Sequence, residues 1–136
     1  MTRFEFQELA DVRIKEAGVL LAAGLWDGAY YLAGYAVECA LKACIAKLTK
    51  ADDFPEKDAA KYYTHKIEEL AKLAGILAAI KAEGLANSTF RNFWATITDW
   101  SETSRYERKS KDHAEELFGA ITDPTNGVLP WIQRIW

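Results

Sequence analysis

The chain has 136 residues, half of them apolar and 12% aromatic, with a formal net charge of −3 and a pI of about 5.4. That length supports a hydrophobic core without disulfides or metal, and the composition excludes an intrinsically disordered chain. The acidic balance excludes a general nucleic-acid coat protein, whose affinity comes largely from neutralised phosphates, but it leaves room for a small basic site.

In chain order, Thr2 followed three residues later by Glu5 predicts a capping box at the start of a first helix. Phe6, Leu9, Arg13, Ala17 and Leu20 carry it to about Leu21. The acidic, amphipathic N-terminus does not read as a leader peptide, and the apolar run over 17–26 is too short to span a bilayer. The expectation is a cytoplasmic protein with no membrane association. A turn at Gly24-Leu25-Trp26-Asp27 precedes a second helix, with Asp27 as its expected cap, running to about Lys50.

The second helix holds two seams. Ala29, Ala33, Ala36, Ala40 and Ala43 recur at steps of four and three, and Tyr30, Gly34, Val37, Leu41, Cys44 and Leu48 follow one residue on. Such a helix touches neighbours on two sides, one of them closely, which predicts the centre of a bundle. Cys39 and Cys44 point apart on it, so they cannot bridge each other, and unpaired thiols suit a reducing compartment.

Residues 51–63 are charged, broken by Pro55, and predict a loop with a short helical turn. Thr64 is the expected cap of a third helix bearing Ile67, Leu70, Leu73 and Ala74, interrupted at Gly75 and followed by a short helix to Gly84. Asn87 or Ser88 opens a fourth, with Phe90, Phe93, Trp94, Ile97 and Trp100 on an aromatic face. Residues 101–109 form a polar connection. Ser110 caps a fifth helix with Ala114, Leu117, Phe118 and Ile121 inward, and a last short helix carries Val128, Leu129, Trp131, Ile132 and Trp136. No segment alternates with period two, so the expected fold is all-α, an antiparallel four- to five-helix bundle occupying residues 1–136 as one domain.

Three groups of residues carry chemistry. Glu38 and Lys42, spaced i, i+4 beside Tyr31 and Tyr35, form an ordinary helical ion pair on a solvated face, or line a polar groove. His65 with Glu68 and Glu69 lacks the further ligands that a carboxylate-bridged metal site needs, so His65 is expected to bond locally at a helix start and no metal or cofactor is expected. Arg105, Arg108, Lys109 and Lys111 cluster at a loop and helix start, where free backbone N–H groups also favour anions. A phosphate held by Arg105 or Arg108 through paired hydrogen bonds fits that cluster, and a merely solvated charge run is the alternative.

The stretches AGYAVECALKACIAK, THKIEEL and SRYERKSKDHAEELF leading to VLPWI, in that order and over nearly the whole chain, resemble the HEPN domain. The resemblance implies a helical bundle that usually forms a homodimer, often encoded beside a minimal nucleotidyltransferase in toxin–antitoxin-like pairs. One branch of that family consists of metal-independent RNases with an R-x4-6-H motif, whose Arg and His meet those of a second subunit. Arg108 and His113 fit that motif, with Lys109 standing where the nucleases usually carry a small polar residue. A non-nuclease branch has an Arg-Tyr pair before the last core helix, which Arg105-Tyr106 matches. The expected function is therefore a non-catalytic module binding a nucleotide, RNA or a nucleotidyltransferase partner through Arg105 and Tyr106, with Lys109 and Lys111 in the same site. The alternative is an RNase in which Arg108 holds the scissile phosphate and His113 moves the proton.

Overall fold

The computed structural model describes residues 1–49, 52, 54 and 60–136. Among them seven α-helices pack together with no strand: α1 (Arg3–Ala22), α2 (Trp26–Lys47), α3 (Ile67–Leu73), α4 (Leu77–Ala86), α5 (Ser88–Thr98), α6 (Lys111–Thr122) and α7 (Val128–Gln133). Two 3-10 turns, Ala60–Tyr63 and Glu102–Tyr106, interrupt the connections. The all-α bundle expected from the periodicity is what forms. The expected break at Pro55 lies outside the described residues, and the helical turn predicted for that segment corresponds to Ala60–Tyr63.

Local chemistry sets most helix ends. The Glu5 N–H donates to the Thr2 hydroxyl (3.1 Å) while the Glu5 carboxylate accepts from the Thr2 N–H (2.7 Å), so the predicted capping box closes. The Thr2 N–H first, and then the Thr2 hydroxyl, hold the Glu5 carboxyl below its usual range. Asn87 caps α5 and Ser110 caps α6 by accepting from Phe90 and His113 N–H groups. Helices α1 and α3 end at Gly24 and Gly75, both at φ 75°. There the N–H groups of the glycine and its successor return to carbonyls inside the helix, a left-handed stop that a residue without Cβ adopts at little cost.

Two expected caps are corrected. Helix α2 begins at Trp26 with Leu25 as a cap lacking any side-chain bond, because the Asp27 carboxylate accepts the Lys109 N–H instead (2.6 Å). Helix α3 begins after Lys66, while the Thr64 hydroxyl donates to the Glu69 carboxylate (2.7 Å). Helix α2 also ends at Lys47, short of the expected Lys50, and Leu48 projects from its end at 65% exposure rather than completing the apolar seam.

Helix α2 is the axis of the bundle, packing against α1, α3, α6, α7 and the Glu102–Tyr106 turn, with α1 its most extensive partner. All five alanines of the first seam are buried, as are Val37, Leu41 and Ile45. Small side chains let neighbouring backbones approach closely on one flank while larger ones fill the other. Phe90 packs on Trp131 with ring centroids 5.6 Å apart, joining α5 to α7. Cys39 and Cys44 are free and buried, and burial pushes their thiols up to about 12 and about 11, so neither is poised as a nucleophile. No helix among the described residues is long and apolar enough to cross a membrane.

Candidate ligand-binding site at the Arg105–Tyr106 turn

Beyond α5 the chain passes through Trp100, 3% exposed, and enters the Glu102–Tyr106 turn. Ser101 caps the turn by accepting the Thr103 N–H (3.3 Å). Trp100 anchors the entry, its ring stacked on Tyr31 (6.2 Å), which stacks in turn on Tyr35 (6.0 Å). Ser104 faces inward and is buried, so the short turn leaves Arg105 and Tyr106 outside, the Tyr106 ring 80% exposed. The Arg105 guanidinium lies 4.8 Å from the centroid of the Tyr106 ring, and Tyr31 also interacts with it. The result is an exposed guanidinium lying against the Tyr106 ring, with the Tyr106 and Tyr31 side chains as its polar neighbours.

The basic residues that follow behave differently from one another. Lys109 is folded in: its Nζ is 3.0 Å from the Glu107 carboxylate and 4.6 Å from the Tyr30 ring centroid, leaving 20% of the side chain exposed. The hydrogen bond from Lys109, then its charge, holds the Glu107 carboxyl below the usual range. Lys109 therefore braces the loop. Arg108 is 97% exposed, its nearest anion the Asp27 carboxylate at 3.9 Å. Lys111 is exposed, 3.8 Å from Glu115 one helical turn on, and His113 is exposed on the first turn of α6. The structure thus brings Arg105, Tyr106 and Tyr31 together, sets Lys109 aside as a brace, and leaves Arg108, Lys111 and His113 on open surface.

Sequence reasoning missed a buried polar network. Glu38, expected on a solvated face, is fully buried, and Lys42 is only 12% exposed. One Glu38 oxygen lies 3.3 Å from Lys42 Nζ and the other 3.0 Å from His65 Nδ1. The second ring nitrogen of His65, Nε2, is 3.2 Å from the Glu102 carboxylate. His65 therefore bonds across the fold rather than to Glu68 or Glu69, and among the described residues no cluster of His, Cys, Asp or Glu could hold a metal ion. The signal available in the sequence was that Glu38 sits among Val37, Cys39, Ala40 and Leu41, with apolar seams on both sides. His65 and Glu102 stand at one wall of a groove of about 1230 Å³, which Lys72, Leu77 and Trp100 also line.

A family model for the HEPN domain matches residues 5–122. No curated protein and no solved structure matches the chain.

Proposed function

Because the chain belongs to the HEPN family, whose members are associated with nucleotidyltransferases and with RNase activity, we propose that it is a non-catalytic binding module whose Arg105–Tyr106 turn takes RNA or a nucleotide. The observation that carries this reading is the exposed Arg105 guanidinium lying on the exposed Tyr106 ring. Guanidinium forks match phosphate oxygens in pairs, and an exposed aromatic face accepts a base by stacking, so one turn offers both halves of nucleotide recognition. A nucleotidyltransferase that handles the same ligand is the partner the family suggests.

The test is fluorescence anisotropy with a short labelled single-stranded RNA, with a nucleotide as competitor. Arg105→Ala should weaken binding about tenfold or more, as expected for losing a charge-assisted hydrogen-bond pair. Its melting temperature should stay unchanged, since Arg105 lies outside the core. Equal binding by wild type and variant would remove the turn from consideration. Metal-independent cleavage of the RNA in EDTA, abolished by His113→Ala, would favour the alternative in which Arg108 and His113 form a shared nuclease cleft.

We also propose a two-fold homodimer whose interface takes in part of α2 or α6, with α6 offering the more exposed face. The alanine seam of α2 is already buried inside one chain, which leaves that helix little surface for a partner. Light scattering at micromolar concentration should give twice the chain mass of 15.3 kDa. A purely monomeric signal would end the dimer proposal.

A further inference from the structure

The turn that carries Arg105 and Tyr106 is short, and its underside is poorly served by hydrogen bonds. Ser104 Oγ, beneath it, and Trp100 Nε1, at its entry, are buried without a partner. Buried polar groups are normally paired, so neither of these anchors the turn by a polar contact. Besides α2, which packs against the turn, His65, just before α3, reaches it. Its Nε2 meets Glu102, the first residue of the turn, at 3.2 Å, and its Nδ1 meets the buried Glu38 carboxylate of α2 at 3.0 Å. Glu38 is itself fixed from the other side by Lys42 (3.3 Å). The Nδ1–Glu38 contact is a hydrogen bond and the Nε2–Glu102 contact a close polar approach, so with Glu38 held in the core the ring links that fixed carboxylate to the turn.

We propose that His65 is a positioning residue: it clamps Glu102 to the core through Glu38 and so fixes the turn that presents Arg105 and Tyr106, without touching the ligand itself. The consequence for affinity rests on the binding role proposed above, whereas the clamp can be tested without any ligand. Glu102 is the cleaner site to perturb, because its side chain is 36% exposed and Glu102→Gln leaves the Glu38–His65 contact in place. His65→Gln removes the clamp from the other end.

The experiment measures amide hydrogen exchange and RNA affinity in wild type, Glu102→Gln, His65→Gln and the double variant. The reporters are the N–H groups of Ser104 and Glu107, bonded to the Ser101 and Ser104 carbonyls at 3.0 and 3.1 Å. Both should exchange about tenfold faster in each variant, with Leu41 and Ile45 of α2 unchanged in Glu102→Gln. Affinity for single-stranded RNA should fall by roughly threefold to tenfold in each single variant and no further in the double, since the two residues act through one contact. Unchanged exchange at Ser104 and Glu107 in Glu102→Gln would overturn the clamp. Faster exchange with undiminished affinity, or additive losses in the double variant, would overturn the positioning role. A wild type that binds no RNA would instead overturn the binding role of the turn, while the exchange rates still decide the clamp.

Discussion

Glu38→Ala should lower the stability of the folded protein by about 3 kcal/mol, at the lower end of the cost of breaking a buried ion pair, measured as a shift in the urea midpoint at constant slope. The carboxylate is fully buried and satisfies both Lys42 and His65. Removing it leaves the largely buried Lys42 ammonium without its anion and opens a void beside Val37 and Leu41. The magnitude sits at the lower end because Lys42 also lies 5.6 Å from the Phe54 ring and His65 is partly exposed, so both retain some compensation. Changing Glu38 and Lys42 together to methionine should cost less than Glu38→Ala, since it removes both charges and refills the volume. Equal stability of wild type and Glu38→Ala would contradict a buried role for this carboxylate.

Gly34→Ala should destabilise the protein by ~2 kcal/mol, opposite in sign to the usual helix preference. In an exposed helix interior alanine is favoured over glycine by roughly 1 kcal/mol. At position 34, however, a Cβ would overlap the indole ring of Trp100. Trp100 is almost wholly buried and stacked on Tyr31, so it has nowhere to retreat without disturbing the chain that leads into the Glu102–Tyr106 turn. Thermal melts of the variant should show the loss. An increase in stability would mean that α2 and Trp100 are not packed this closely.

The parts of the fold legible in the sequence are those decided within a few residues. The Thr2–Glu5 box and the Asn87 and Ser110 caps are contacts between near neighbours, and each forms as its spacing implies. Asp27 and Thr64 have the same cap chemistry, but other groups recruit their side chains: Asp27 accepts from Lys109 N–H, 82 positions away, and Thr64 donates to Glu69. Glu38 with Lys42 has the spacing of any surface ion pair; its apolar neighbours in the chain are the one local sign of burial, and its pairing with His65, 27 positions away, arises only in the fold. At the candidate site the Arg105-Tyr106 pair is visible in the chain. The aromatic support from Tyr31, Tyr35 and Trp100 is not, because it arises only when α2 packs under the turn. Lys109 reads as one more cation in a basic run, and only the fold shows it turned onto Glu107 and Tyr30.

The most direct test of the Arg105–Tyr106 turn as the ligand site is an NMR titration of isotopically labelled protein with single-stranded RNA, following backbone amides, arginine side chains and aromatic rings together. The account predicts that the largest shift changes fall on the Arg105 guanidinium, the Tyr106 ring and Tyr31, with Lys109 little affected because it is already bonded. Changes concentrated instead at Arg108 and His113, or the absence of any change around residues 102–106, would contradict it.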